Sequence, residues 1–486
     1  MQNPQKNAIY QDTPLPMRLC NGMHWAVRPA DCDSCRSGRG LYPIFFGQID
    51  NKDIKSKLMN TIASTLTSIL STENAVISWE NLAPTQKQNL QQSIDSKSYP
   101  ICVVYPHSQA ELAAVITTAN RHQWRVLACG SGSKINWGGL AKNIDIIVST
   151  ERINQLIEHA VGDLTVTVEA GMKFAEIQEI LGKSGQTLAL DPAFPESATI
   201  GGIVATADTG SLRQRYGGVR DQILGITFIR ADGEIAKAGG RVVKNVAGYD
   251  LMKLFTGAYG TLGIITQVTL RVYPIPETSG TVLLTGKPEA ISSAVRILQN
   301  SELTPTQVDL LSSKLVTSLA LGTGIGLITR FQSIHESVEE QSKRLLAIGE
   351  KLGLQGVIYQ GVGESNLWQQ LPNKIYDHLT ESTITCKIGV LPTAAVEIIN
   401  QINIGLIHVS SGLGLVRLEN QDQILPVRNL CQANSGFLTI LSAPVELKER
   451  FDVWGYNGNG LEVMRGIKQQ FDGNLILSPG RFVGGI

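Results

Sequence analysis

The residues best placed to do chemistry here are small ones. From Ser197 to Asp221 the chain reads SATIGGIVATADTGSLRQRYGGVRD, with five glycines in 25 residues. Gly201 and Gly202 are adjacent, Gly210 follows a run of small side chains, and Gly217 and Gly218 follow Tyr216. A packed hydrophobic element would carry more bulk, and a disordered linker fewer Ile and Val. Glycine pairs among Ala, Thr and Ser suit a backbone that must come close to something flat or phosphorylated. The stretch holds neither His nor Cys. It can supply a wall, but the base must come from elsewhere.

A second candidate precedes it. Cys129-Gly130-Ser131-Gly132-Ser133-Lys134 can wind around an anion, with successive N–H groups and hydroxyls on phosphate oxygens. Its spacing is not that of a Walker A loop. It does not open a helix as GxGxxG does, because Trp137, Gly138 and Gly139 continue as loop. A third glycine-marked run, Gly239 to Asp250, contains KNVAGYD, and Gly257, Gly260 and Gly263 space a tight passage after it. Each piece also has a plain reading. Glycine pairs make turns, Tyr216 and Tyr249 pack, and Arg215 and Asp221 pair with each other. Lys244 is a surface charge or a cation beside a ring ligand.

These loops need a frame. An apolar strand runs between Tyr99 and Pro106, and Ser108 with Glu111 forms a capping box for a helix whose face is Leu112, Val115, Ile116 and Ala119. A strand at Arg125–Ala128 follows, giving a strand–helix–strand unit. Further strands are expected at 144–148, 164–169, 223–229, 234–237 and 264–272. Asp232-Gly233 is a hairpin turn, and a helix carries Phe174, Ile177, Ile180 and Leu181.

Composition sets outer limits. The 486 residues suit two or three domains. Lys plus Arg and Asp plus Glu each total 42, a formal net charge of zero that argues against nucleic acid or an anionic membrane as partner. There is no run of about 18 apolar residues and no secretory signal pattern. Seven scattered cysteines fit a reducing compartment, so a cytoplasmic location is expected, peripheral to a membrane at most through partners. Residues 1–58 read as a disordered extension. Cys20, His24, Cys32 and Cys35 within it are either zinc ligands or free thiols, and the irregular spacing favours thiols.

Taken in order, CGSGSK, DPAFPESATIGGIVATADTG, RYGGVRDQILG, ADGE and KNVAGYDLMKLFTGAYGTLGIITQVTLRVYP resemble the FAD-binding domain of the vanillyl-alcohol-oxidase (PCMH-type) family. The same domain occurs in flavin-linked D-lactate and glycolate dehydrogenases. The resemblance implies an α+β protein in four parts: the extension 1–58, a lead-in 59–98, an FAD-binding domain of two α/β subdomains at 99–276, and an α+β cap domain at 277–486. It implies that Gly130, Ser131, Gly132 and Ser133 bind pyrophosphate. Asp191, Pro192, Thr199, Gly201 and Gly202 would line the flavin and ribityl chain, with Ala205, Gly210 and Gly217 nearby and Ile264 and Ile265 meeting the cofactor by backbone. FAD is expected to be non-covalent, because no His lies in the Gly130 loop.

In the cap, HVSSGLG lacks the second His and the carboxylate of the family's His-x-Gly-Asp-Gly-Asn-x-His metal motif. No metal site is expected, and His408 is read as a packed or exposed histidine. The end, Leu475 to Arg481, is similar to the family's NPGR-type tail with Ser478 replacing Asn, and the family tail packs on the FAD domain. Among these flavoproteins the chain most resembles the E-type subunit of glycolate oxidase. That implies a flavin D-type subunit and an iron–sulfur F-type subunit as partners and a small 2-hydroxy acid, glycolate, as substrate. A free-standing 2-hydroxy-acid (D-lactate-like) dehydrogenase and a non-catalytic FAD-binding assembly subunit stay open as alternatives, and no catalytic residue is assigned.

Overall fold

The computed structural model describes residues 61–240, 248–376 and 383–486. The N-terminal Cys and His residues and Lys244 lie outside them. Numbered in chain order, β1 (Val76–Ser78), β2 (Cys102–Val104), β3 (Val126–Cys129) and β4 (Ile146–Ser149) form a sheet ordered β1-β2-β4-β3. β2, β4 and β3 are mutually parallel, and β1 runs antiparallel to β2. Parallel strands need a crossover, and between β2 and β3 it is the helix Gln109–His122. The Ser108 hydroxyl accepts the Glu111 N–H at 3.1 Å. Glu111 reaches back to the His107 N–H, one residue beyond the partner a capping box would use. Leu112, Val115, Ile116 and Ala119 are all buried.

The second sheet is antiparallel throughout. β5 (Leu156–Ala160), β6 (Thr165–Glu169), β8 (Ile223–Ile229), β9 (Ile235–Gly239) and β10 (Ile264–Arg271) lie in the order β5-β6-β10-β8-β9, and β7 (Gln186–Thr187) pairs separately with β11 (Tyr273–Pro274). The glycine-rich stretch that the sequence presents as close-approach backbone is in large part helical: Ile200–Thr206, then single turns at Arg213–Tyr216 and Val219–Gln222. Thr199 caps the first of these by accepting the Gly202 N–H, and Ile200, Ile203 and Val204 pack on the second sheet's core with Phe228 and Val268.

The third sheet has eight antiparallel strands, β12 (Thr278–Gly286), β13 (Gln307–Leu311), β14 (Ile325–Ser333), β15 (Gln355–Tyr359), β16 (Ile384–Gly389), β17 (Ile404–His408), β18 (Leu413–Leu418) and β19 (Phe437–Ser442). Their order is β15-β12-β14-β13-β17-β18-β16-β19. Helices Pro288–Gln299, His335–Lys351, Ala395–Gln401 and Ile424–Ala433 share one core with this sheet, and Gly361–Tyr376 with Ser313–Ser318 another.

Two buried lysines tie the parts together. Lys448 Nζ donates to the carbonyls of Asn136, Gly138 (3.2 Å) and Leu441 (3.3 Å), fastening the loop after β3 to the third sheet's end. Lys468 donates to Thr261 and Leu477 carbonyls at 2.8 Å and pairs with Asp472 at 2.6 Å. The tail then returns beside β3: Val126 N–H donates to Ile476 O, and Ser478 N–H to Val126 O. Among the described residues no helix is long and apolar enough to cross a membrane.

Candidate functional site

A cavity of about 760 Å³ lies beside the glycine loops, between the first two sheets. The loop after β3, the helix Ile200–Thr206, the 258–265 passage and Arg481 of the tail line it. Its walls are bare by design of the sequence. A Cβ on Gly130 would stand 2.0 Å from Thr199 Oγ1, so only glycine lets this loop press against the helix cap. A Cβ on Gly202 would meet only Thr199 Oγ1, at 3.2 Å, and otherwise enters open space. The Ser131 hydroxyl donates to the Ser197 carbonyl and so ties the loop to the glycine stretch. Arg481 is 3% exposed and donates to the Gly139 carbonyl at 2.8 Å, while its Nε has no partner. Burial lowers its pKa to about 10. A buried guanidinium with an idle N–H at a cavity wall is a seat for an anion. Burial pushes the neighbouring Cys129 thiol up to about 12, which keeps it an inert neutral thiol.

A smaller polar cleft of about 410 Å³ adjoins this cavity and shares Thr206 and Tyr259 with it. Arg213, Lys387, His408, Tyr376 and Asp208 also line it. Asp208 is held by Lys134 at 2.9 Å and by the Ala193 N–H at 2.9 Å, so its charge is spent inside the wall. Burial lowers the pKa of Lys387, with Asp208 opposing and Arg213 adding to the fall. Burial also lowers that of Arg213, with Asp221 and Asp191 opposing. Neither cation makes a salt bridge among the described residues. His408, read from sequence as packed or exposed, is buried, lines the cleft, and places Nδ1 2.6 Å from Asp309 Oδ1. Burial raises the Tyr259 and Tyr376 hydroxyls, so both are neutral donors. No group of three or more metal-ligating side chains occurs among the described residues.

A family model described as an FAD binding domain matches residues 100–239. The chain carries an FAD-binding domain. It is similar to the glycolate oxidase subunit GlcD of Bacillus subtilis, 28% identical over 264 residues that cover 52% of this chain and 56% of that one. It is also similar to the mitochondrial cytochrome-type D-lactate dehydrogenase of Arabidopsis thaliana, 34% identical over 37% of this chain and 31% of the relative. The chain therefore spans about half and about a third of these relatives' lengths. Among solved structures, p-cresol methylhydroxylase with substrate bound superposes with a TM-score of 0.65 at 15% identity, covering 87% of this chain and 96% of that one, which shows a shared fold.

The residues present suit FAD. The bare glycine walls admit a flat ring and a phosphate chain, and Arg481 offers an uncompensated buried cation. Of the residues singled out by sequence, Gly130, Ser131, Gly132, Ser133, Thr199, Gly201, Gly202, Ala205, Ile264 and Ile265 line this cavity together. Asp191, Pro192, Gly210 and Gly217 do not border it. Asp191 instead accepts the N–H groups of Gly210 and Leu212, both at 2.9 Å, and so shapes the loop behind the cleft. Its carboxyl is pushed up to about 6 by burial, with the Leu212 N–H and His408 pulling it down and Asp309 adding to the rise. Gly217 abuts Asp221, which accepts the Gly218 N–H rather than pairing with Arg215. Tyr249 is 87% exposed, and Tyr216 packs against Tyr273 with the rings tilted by 58°.

Sequence reasoning missed the cleft. Asp208 and Tyr259 lie inside two of the quoted motifs and Arg213 inside the glycine-rich stretch, but none was singled out, and Tyr376 and Lys387 carry no motif. Lys134 stood in plain sight at the end of CGSGSK, but a surface charge and a buried partner of Asp208 look alike without the fold.

Proposed function

We propose that this chain oxidises a small 2-hydroxy acid, with FAD in the larger cavity and the substrate in the adjoining cleft. The observation that carries this reading is the pair of half-buried cations, Arg213 and Lys387, facing a cleft that opens beside the FAD cavity. Two desolvated cations with no salt-bridge partner among the described residues are held at a cost in solvation that an anionic ligand offsets. A carboxylate between them leaves its C2 carbon toward the shared wall at Thr206 and Tyr259. Bound FAD would supply the two-electron acceptor. The chain's own part is to hold the carboxylate, to exclude water behind Trp137 and Leu441, and to present neutral tyrosine donors. Gly130 to Ser133 would hold the pyrophosphate with Arg481, and Thr199, Gly201, Gly202, Ala205, Ile264 and Ile265 would flank the rest of FAD. The cofactor is held without a covalent bond, since its described walls hold no His and the Cys129 thiol is buried and neutral.

The first substrate to try is glycolate, because the glycolate oxidase subunit is among the similar proteins and a small cleft suits a small acid. In this reading the chain works in the cytoplasm as an E-type subunit. It passes electrons to a flavin D-type and an iron–sulfur F-type partner, and meets a membrane only through them. The free-standing dehydrogenase reading is favoured by one specific observation, that Arg213, Lys387 and His408 line one cleft within a single chain. Anaerobic addition of glycolate, D-lactate or D-2-hydroxyglutarate to the purified flavoprotein tests the proposal. Bleaching of the visible flavin spectrum by at least one acid is expected. A protein that purifies with FAD and is bleached by none, alone or with its partners, refutes it.

A further inference from the structure

We propose that His408, oriented by Asp309, is the general base that takes the hydroxyl proton of the substrate. The proposal rests on the hydroxy-acid reading above and adds the proton's destination, which that reading leaves open. His408 ends β17 and Asp309 lies on β13, and the two are directly opposed partners in that antiparallel pair. Their side chains stand on one face, with Nδ1 2.6 Å from Oδ1 and both residues buried at 6% and 1% exposure. A carboxylate that accepts from Nδ1–H fixes the tautomer whose Nε2 is the free base. The imidazole lines the same cleft as Arg213 and Lys387, which sets it beside the ligand those cations would hold.

The groups around the imidazole come from every element packed there. Asp309 is on β13, Asp191 on the loop behind, and Lys387 on β16. Arg213 is on its helical turn, Tyr376 ends the Gly361–Tyr376 helix, and Asp208 and Tyr259 come from the FAD domain. Asp191 is engaged by the Gly210 and Leu212 N–H groups, with Gln307 Nε2 at 3.4 Å, and Asp208 by Lys134. Tyr259 and Tyr376 are held neutral by burial. Among the groups lining the cleft, His408 is thus the one whose side chain is held at one ring nitrogen, with the other left without a hydrogen-bond partner among the described residues. In the step, the O–H proton moves to Nε2 as the C2–H bond breaks. Bound FAD would take the hydride's two electrons, and C2=O forms as the 2-oxo acid. Asp309 touches no reacting atom; it is a positioning residue that also stabilises the imidazolium.

The test compares His408→Gln, His408→Asn, Asp309→Asn and Asp309→Glu with the parent holoprotein. Three quantities are read: FAD content, the dissociation constant of oxalate followed by the flavin spectrum, and the anaerobic rate of flavin reduction by the best hydroxy acid across pH. Loss of a positioned base lowers a rate by about 10²- to 10⁴-fold. Both His408 variants are expected to show that loss, while FAD content holds and oxalate affinity changes less than about fivefold, a structural role being expected to move these too. A general base gives the rate a limb that rises with pH, and that limb should be present in the parent and absent in the His408 variants. Asp309→Asn displaces the limb to lower pH, because the imidazolium loses its carboxylate neighbour, and Asp309→Glu restores it in part. Should the His408 variants fail to hold FAD, the displaced limb in Asp309→Asn decides. Reduction by either His408 variant at the parent rate and with the parent pH profile overturns the proposal and leaves the hydroxy-acid reading standing. An unshifted limb in Asp309→Asn overturns it likewise. A parent that no hydroxy acid bleaches overturns both.

Discussion

Lys387→Met removes one of two cations from the cleft and should uncouple ligand binding from stability. The gross attraction between unit charges about 4 Å apart is about 4 kcal/mol at an effective dielectric near 20. Less than that is realised here. Burial and Arg213 both disfavour the ammonium, and Asp208 only partly offsets them. A hydrogen bond to a charged group nets about 1.5–3 kcal/mol. At about 1.4 kcal/mol per tenfold, the variant should bind oxalate roughly 10- to 150-fold more weakly. Lys387→Arg should stay within about tenfold, because it keeps the charge but not the reach. The melting temperature of Lys387→Met should hold or rise, since a desolvated amine with no salt-bridge partner among the described residues has been exchanged for an apolar chain of similar length. In the parent, oxalate affinity should fall as pH rises through the lowered Lys387 pKa, sooner than for an ordinary lysine. The assay is titration of the oxidised flavin spectrum with oxalate, paired with thermal unfolding of the same samples. Unchanged oxalate affinity in Lys387→Met refutes the carboxylate assignment. A large fall in melting temperature with it refutes the claim that the cation is there for a ligand.

Two further outcomes follow from the same packing. Gly202→Leu should fold with nearly the parent's melting temperature in the cofactor-free state yet lose FAD by at least about tenfold. The new side chain meets Thr199 Oγ1 at 3.2 Å and then projects into the cavity. FAD per chain from the released-cofactor absorbance checks this, and full occupancy would misplace the cofactor. Lys448 has its pKa lowered from 10.5 to about 7, first by burial and then by Arg481. The unfolded chain therefore binds more protons between about pH 7 and 10.5, and this lysine makes stability rise with pH across that window, by up to roughly 1.4 kcal/mol per pH unit. Lys448→Met should be less stable than the parent, and the gap in melting temperature should widen from pH 7 to pH 10. A gap independent of pH would show that the lysine stays charged in the fold.

The larger cavity's lining was legible in the sequence because its makers are contiguous. A loop that cradles phosphate is a run of neighbouring N–H groups, so Gly130 to Ser133 must appear side by side. The helix that faces them must likewise show its bare residues within a few positions of Thr199. The helical state of Ile200–Thr206 was hidden for the same reason that made the stretch conspicuous: two glycines in seven residues weaken the helix signal, and capping by Thr199 with packing of Ile200, Ile203 and Val204 on the sheet outweighs it. Asp191 and Gly210 lie outside the cavity's lining for a different reason. They stand close to the cavity in sequence, but a carboxylate at Asp191 is consumed by the Gly210 and Leu212 N–H groups, and no local pattern distinguishes a carboxylate that binds its own loop from one that binds a ligand.

The cleft shows the limit of reading by motif. His408 was judged by asking whether a second His or a carboxylate stood at metal-ligand spacing along the chain, and none did. Its partner is 99 residues away, and what joins them is sheet register. β13 and β17 run antiparallel with Asp309 opposite His408. Side chains in a strand alternate faces, so a slip of one residue in either strand would turn one of the pair away from the other. The register is itself fixed by buried neighbours: Leu310 and Leu311 oppose Ile407 and Leu406, all four buried in the cap's cores. Lys387 reaches the same cleft from β16, with β18 between it and β17. The chemistry of the cleft is therefore written in the apolar residues that set the pairing. Those residues look like any other core until the strand order is known.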